Sequence, residues 1–563
     1  MSDQYIVGID FGTLSGRAAV VRVSDGKEMG TAVTEYRHGV MDRTLTVGDN
    51  QKLPPDYALQ VPGDYIEVLQ KAVPQAVKEA GVDPKDVIAI GLDATSATLF
   101  ACKADGTPLC ELDEFKNSPH AYIKLWKHHG AQEQADRIVA LAKERNEPWL
   151  PRYGGVMSSE LGMPKMLETL EKAPEVYHAT EVFANLLDWV VWRLTGTLTY
   201  SAGDSGYKRM YIDGQYPSKE YLEALNPDFG GVFSEKQTAE VIPLGSKAGE
   251  LTAEAAEWTG LPEGITVSTG NIDAHVAAAA FNALKPGQLT GIMGTSSCWL
   301  VPGEDLKEVP GMFGVVEGGL VEGLWGFECG QTAVGDIFAW FVDNCVPANY
   351  AQQHAGDFFE NPGRAARNVH DILTERASEL KPGESGLLAL DWHNGNRSIL
   401  ADANLSGLIL GQTLTTLPHE QYRALIEATA FGARRIMEAF EESGVEITEV
   451  ICGGGLVKNP LLMQIYADVF NRELALCSST QPGALGSAIF AAVAAGVYPD
   501  APTAAEAMSA RDTRTYKPIA GNAEIYEELY QEYKKLHDYF GRGENPVMHN
   551  LKDLRRRVHE GSK

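Results

Sequence analysis

Along this chain, short runs rich in β-branched residues alternate with longer amphipathic stretches. "YIVGIDFG", "GRAAVVRV", "VIAIGLDA", "ITVSTGN", "QLTGIMGT", "CWLVP" and "EVICGGG" have the length and apolar content of strands. "PGDYIEVLQKAVPQAVKEAG", "YRALIEATAFGARRIMEAFEESG" and "NPLLMQIYADVFN" space their apolar residues as helices do. The last of these opens with Asn459-Pro460, a helix-start signature. Such alternation predicts an α/β fold with sheets covered by helices. The most apolar late stretch, "AIFAAVAAGV", is too short and too rich in alanine to span a bilayer. The closing segment, "NAEIYEELYQEYKKLHDYFGRG" and onward, reads as an amphipathic helix with a polar tail, packed outside the catalytic core.

A faint internal repeat adds more. "VGIDFGTLSGRAAVV" is a strand, a Gly-Thr-x-Ser turn and a second strand, and "LTGIMGTSSCWLVP" repeats that plan. Two such units predict two related domains facing one another, divided near residues 270–285, as 1–282 and 283–563. A length of 563 residues suits two large domains.

Charge and cysteine usage narrow the function. The formal charge is −28, from 48 basic and 76 acidic residues, which argues against a nucleic-acid partner but permits a small anion in a local pocket. The seven cysteines are scattered and none forms C-x-x-C, a pattern of free thiols in a reducing cytosol. "MSDQYIVGID" lacks the basic and apolar regions of a secretory signal. The expectation is a soluble cytoplasmic protein with no membrane partner; oligomeric state is left open, a homo-oligomer included.

Three loops could carry chemistry. In "DFGTLSGR", Gly12 permits close approach to the main chain, Thr13 and Ser15 supply hydroxyls, and Arg17 could reach a phosphate. Asp10 could hold Mg2+ as a hard oxygen ligand. In "GIMGTSSC", Gly294, Thr295, Ser296 and Ser297 are small and donor-rich. In "ICGGGLVKNPLL", three glycines lie between a strand and a helix, where a helix N-terminus favours an anion. Alone, the first loop reads better as a plain hairpin turn, the second could be one too, and the third is evenly balanced; the first two in matching strand–loop–strand settings favour phosphate binding. Neither G-x-G-x-x-G nor G-x-x-x-x-G-K-[ST] occurs at these loops, which opposes a dinucleotide fold and a P-loop. In "VSTGNIDAHVAAAAFN", Asp273 is either a helix cap or a reacting carboxylate, and His275 reads as a structural histidine. Asp93, after "VIAIGL", reads as a possible cap of the next turn.

These loops, in this order on duplicated α/β domains, resemble the FGGY carbohydrate kinases over nearly the whole chain. The segments "RYGGVMSSE", "SAGDSGYK", "ECGQTAVGDIFAWF", "LDWHNGNRS" and "ALGSAIFAAVAAGV" carry the resemblance most specifically. It implies two actin-like (ribonuclease H-like) ATPase domains with an interdomain cleft. It also implies transfer of phosphate from ATP, with Mg2+, to a sugar. Asp273 falls where the family carries its catalytic base, and Asp10 falls near the metal and phosphates. Gly12, Thr13 and Arg17 match the first phosphate loop, Gly294 and Thr295 the second, and Gly330, Gly455 and Asn459 the nucleotide contacts. Thr95, Ser96, Ala97 and Trp126 match the sugar pocket, while Lys208 and Glu328 match the branch that phosphorylates L-ribulose in L-arabinose catabolism. Without the resemblance Lys208 reads as a surface lysine and Trp126 as a half-buried aromatic, whereas Glu328, between Phe327 and Cys329, wants a partner that a sugar hydroxyl or Lys208 would supply.

The sequence departs from the general family pattern between "LSGLILG" and "LIEATAFGAR", and around Lys165 in "SSELGMPKML". Asp273, at a helix start, is expected to stay ionised at neutral pH. The competing readings are a kinase of the same family for D-ribulose, D-xylulose or a polyol, and an actin-like assembly or chaperone ATPase. An NAD oxidoreductase is opposed by the absent fingerprint.

Overall fold

The computed structural model describes residues 3–350, 368–509 and 511–560. The first half is built on a seven-stranded sheet. Its strands are β1 (Tyr5–Phe11), β2 (Ser15–Arg22), β3 (Glu28–Glu35), β4 (Val87–Ala94), β5 (Lys247–Glu250), β6 (Thr266–Ser268) and β7 (Asn271–Ile272). The order is β5-β6-β4-β1-β2-β3, with β7 also paired to β4. β1 and β2 are antiparallel, β1 and β4 parallel.

The second half repeats this plan. Its sheet comprises β8 (Gln288–Met293), β9 (Ser297–Gly303), β10 (Gly314–Glu317), β11 (Trp325–Gln331), β12 (Glu449–Gly453), β13 (Leu474–Cys477) and β14 (Arg511–Tyr516). The order is β10-β11-β9-β8-β12-β13-β14. An antiparallel hairpin, β8–β9, again leads into a parallel neighbour, β12. The fold is therefore mixed α/β with a duplicated sheet, as the repeat predicted.

Two helices lie between the sheets. Asp273–Ala280 follows β7, and Pro482–Ala494 follows β13. The second helix packs on β1 and β4 of the first sheet, although it comes from the second half of the chain. Glycine makes this approach possible. A Cβ on Gly8 of β1 would sit 1.9 Å from the Ala484 carbonyl oxygen, and one on Gly91 of β4 would sit 2.1 Å from that of Ser487. Where the two helices touch, a Cβ on Gly486 would meet the Val276 carbonyl at 2.0 Å. The small-residue run "GALGSAIFAAVAAG" is thus an interdomain helix, with Ala484, Ala488, Ala491 and Ala492 buried against Ile6, Ala19 and Ala89. None of the described helices is long and apolar enough to cross a membrane.

A smaller sheet of Leu59–Gln60, Ile123–Lys124, Leu99–Cys102 and Val182–Asn185 is inserted in the first half and has its own core with Leu161, Met163, Met166 and Tyr221. The C-terminal helix Ala520–Gly541 forms as expected, but it is not peripheral. Tyr526, Tyr530 and Tyr533 are fully buried in the core of the second half, because their hydroxyls find Glu427, Glu438 and Asp391 there. All seven cysteines are free thiols.

Candidate active site

The first hairpin concentrates charge at one end of its central strands. Asp10, near the end of β1, is opposite Arg17 on β2 and opposite Asp93 on β4. Arg17 Nη1 lies 3.1 Å from Asp10 Oδ2. Asp93 is fully buried, and its Oδ2 accepts from Ser487 Oγ at 2.6 Å. A Cβ on Gly483 would sit 3.2 Å from both Asp10 Cγ and Asp93 Oδ1, so the two carboxylates converge on the start of helix Pro482–Ala494. The turn itself is held from below. Gly12 N–H donates to Ser15 O at 3.0 Å, the Tyr36 hydroxyl donates to Gly12 O at 2.9 Å, and Gln60 donates to Thr13 O at 2.8 Å. Trp126 Nε1 donates to Thr13 Oγ1 at 3.1 Å, which ties the predicted sugar wall to this turn.

Asp273 opens its helix and takes the Ala274 N–H on Oδ1 at 2.7 Å. Burial, and then the Asp10 carboxylate, push the Asp273 carboxyl up to about 7. The expectation of full ionisation at neutral pH is therefore corrected: desolvation and a like charge outweigh the helix terminus. Asp10 and Asp93 are also raised, burial being the largest cause in each; Arg17 opposes it at Asp10, and Asp10 adds to it at Asp93.

The second hairpin also turns at Gly-Thr but is one residue tighter, since Met293 pairs with Ser297 where Phe11 pairs with Gly16. Gly294 N–H donates to Ser296 O at 2.9 Å, and Thr295 is exposed at the tip. Val334 N–H donates to Thr295 O and Gly335 N–H to Gly294 O, at 2.8 and 3.0 Å. The third loop backs onto it. Gly454 has φ +99°, and a Cβ there would lie 2.4 Å from the Met293 carbonyl, so glycine is required. Gly455 is exposed with open space around it. Asn459 caps the helix Pro460–Phe470: its Oδ1 accepts from Leu461 and Leu462 N–H, and its Nδ2 donates to Thr374. Gly330 is buried in β11, with its N–H donating to Ser398 Oγ and its carbonyl accepting from Ser398 N–H.

The predicted sugar side gathers Lys208 and Glu328 from the two halves. Lys208 Nζ lies 2.9 and 3.1 Å from the two Glu328 oxygens, and both residues are buried. Burial raises the Glu328 carboxyl, but the Lys208 ammonium and His275 outweigh it and hold the group at about 2. His275 is buried, as expected of a structural histidine, with Nε2 3.3 Å from Glu328 Oε2 and its ring edge-on to Tyr207. Cys298 completes a trio of donor atoms with His275 and Glu328, all within 4.8 Å. The Lys208 ammonium already neutralises that carboxylate, so the trio is poorly suited to a cation. Thr95 and Thr98 share a hydrogen bond of 3.0 Å, and Ala97 takes φ +47°.

The pattern defining the "FGGY family of carbohydrate kinases, N-terminal domain" matches residues 5–280, and that of its C-terminal domain matches residues 289–495. The chain belongs to the FGGY family of carbohydrate kinases. It is accordingly an enzyme that phosphorylates a sugar with ATP. A protein named "Ribulokinase" from Mycolicibacterium smegmatis is 54% identical over 98% of this chain and 96% of its own length. Another from Geobacillus thermodenitrificans is 49% identical over 98% and 97%. The xylulose kinase from Rhodospirillum rubrum superposes with a TM-score of 0.76 at 21% identity, covering 97% of this chain and all of its own. The gluconate kinase from Lactobacillus acidophilus gives 0.77 at 17% identity, covering 96% and 99%. These two likenesses concern the fold.

Within this FGGY chain, several residues at the site carried little signal in the sequence. Asp93 reads there as a cap, yet in the fold it is the lateral neighbour of Asp10. Lys165 stands out only as a departure, yet its fully buried ammonium donates to Ala97 O at 2.7 Å and Leu125 O at 2.8 Å, joining the two segments of the predicted sugar pocket. Burial pushes that ammonium down to about 7. Glu160 sits in the quoted segment "RYGGVMSSE" and Arg397 in "LDWHNGNRS"; their pairing across the halves is not visible in either.

Proposed function

We propose that the protein transfers the γ-phosphoryl group of ATP to the terminal hydroxyl of L-ribulose, forming L-ribulose 5-phosphate by direct in-line displacement, with Asp273 as general base. The observation that carries this reading is the position of Asp273. Asp273 follows directly on β7, which pairs with the Asp93 end of β4, and its carboxylate feels the charges of Asp10, Lys208 and Glu328. In this reading it serves both the phosphate-handling acids and the polyol-handling pair. The relatives named ribulokinase, 49 and 54% identical over nearly the whole chain, support the choice of sugar.

In this reading the two Gly-Thr turns, with Gly12, Thr13, Arg17, Gly294 and Thr295, hold the β- and γ-phosphates. Gly455 leaves room for the nucleotide. Thr95, Ser96, Ala97, Trp126, Lys208 and Glu328 hold the sugar. The division into residues 1–282 and 283–563 separates the sugar side from the nucleotide side, with Pro482–Ala494 reaching back across it. Asp273 orients the hydroxyl and takes its proton late, since phosphoryl transfer needs positioning and charge stabilisation more than a strong base. Closure of the cleft excludes water, which would otherwise accept the phosphoryl group. Asp10 and Asp93 offer hard oxygen donors, and Asp93 Oδ1 is buried with no hydrogen-bond partner among the described residues, which suits Mg2+. When bound, that ion neutralises phosphate charge.

A panel of L-ribulose, D-ribulose, D-xylulose and glycerol, with coupled ADP detection, tests the reading. L-ribulose is expected to have the highest kcat/KM. Preference for another member of the panel would replace the substrate, and ATP turnover indifferent to every sugar would overturn the kinase mechanism.

A further inference from the structure

A second ion pair joins the two halves of the chain on the sugar side. Arg397 Nη2 lies 3.1 and 3.2 Å from the two oxygens of Glu160. Their side chains are 17% and 10% exposed. Glu160 comes from the loop before helix Gly162–Lys172 in the first half, and Arg397 from the loop after strand Leu388–Leu390 in the second. The contact extends to the backbone, where Gly311 N–H donates to Gly154 O at 3.1 Å.

Arg397 does not stop at Glu160. Its guanidinium lies over the Phe313 ring, 5.1 Å from the ring centre, and Lys208 Nζ lies over the same ring at 4.2 Å. Lys208 is the cation that pairs with Glu328. Two cations therefore share one aromatic ring, and each is neutralised by its own carboxylate. Arg397 is also close enough to Glu328 to feel its charge.

A buried ion pair gains little net stability, because desolvating both members offsets their attraction. Removing one member is costly, because a buried charge is left without a partner. When the members belong to different domains, that cost is coupled to closure. We propose that Glu160 and Arg397 are positioning residues for the sugar: their pairing on closure holds Arg397 on Phe313 and away from Glu328, so that Lys208 rather than Arg397 pairs with Glu328. The proposal rests on the assignment of Lys208 and Glu328 to the sugar pocket. Without Glu160, Arg397 turns to Glu328, and Lys208 loses the partner that sets its position.

The test is a double-mutant cycle on the full-length enzyme with L-ribulose and ATP. Glu160→Gln is expected to raise the L-ribulose KM at least about tenfold while the ATP KM stays within about twofold. Removing the misplaced cation should then rescue the defect: Glu160→Gln with Arg397→Met should have a lower L-ribulose KM than Glu160→Gln alone. Equal changes in both KM values would overturn the proposal, since a merely structural pair predicts them; additive losses would overturn it too, since the proposal has Arg397 do harm only when Glu160 is absent. If Glu160→Gln does not fold, Glu160→Asp and Arg397→Lys, alone and together, give the same cycle with charge retained, and additivity there overturns it equally. Wild-type enzyme with no turnover of any ketopentose defeats the proposed substrate and this inference together. Wild-type turnover with an additive cycle defeats this inference alone.

Discussion

The hairpins β1–β2 and β8–β9 both turn at Gly-Thr, with different residues two positions before the glycine: Asp10 in the first, Ile292 in the second. The registers extend the contrast. Asp10 is paired with Asp93 on β4, and Ile292 with Gly453 on β12. The helices that follow differ likewise, since Asp273 opens one and Pro482 the other. One half of a duplicated scaffold thus keeps three carboxylates around its turn, and the other has neutral residues at each matching place. In the proposed reading, a triphosphate spanning the two turns explains the asymmetry: acids are tolerated where a cation or a transferred proton needs them, and elsewhere would repel the phosphates.

The largest expected effect falls on the charged side. Asp273→Asn should lower kcat by about 10²–10⁴-fold, with little change in ATP KM in steady-state assays. Near wild-type turnover would show that the acidic half is not where chemistry occurs. The pH profile is next. A base whose carboxyl sits at about 7 is protonated below that pH. Consequently kcat/KM for the sugar should fall about tenfold per pH unit below about 7 and level off above it. A profile flat down to about pH 5 would leave the base assignment without support.

On the neutral side, Ile292→Asp should raise ATP KM about tenfold, because it restores an acid beside the phosphates. An unchanged ATP KM would mean that the two halves do not share one nucleotide. The smallest effect is on stability. Gly8→Ala forces a Cβ into the Ala484 carbonyl and should cost about 1–3 kcal/mol in chemical denaturation. Gly455→Ala, in open space, should stay within about 0.5 kcal/mol.

Much of this was legible before the fold. The hairpins, β4 and the helix Pro460–Phe470 announce themselves, because their periodicity and caps are local properties of the chain. Other elements were hidden. β3, "EMGTAVTE", is half-exposed and mixed in composition, so no strand pattern marks it. β11 carries Glu328 inside an apolar run, a residue that burial would normally exclude. Asp93 could not be told from a cap, because what distinguishes it is its register with Asp10 on a strand far away in sequence. Lys165 looked like an anomaly, because its two acceptors are carbonyls of other segments.

By itself the sequence determined the class of fold, the duplication, the two Gly-Thr turns and the acid at the head of an alanine helix. These depend on residue type and spacing, which act over a few neighbouring positions. Only the tertiary structure decided that Lys208 meets Glu328, that Glu160 meets Arg397 and that Asp273 sits at about 7 rather than fully ionised. Charge pairing and desolvation depend on distance in space, and the partners here are up to 237 positions apart along the chain.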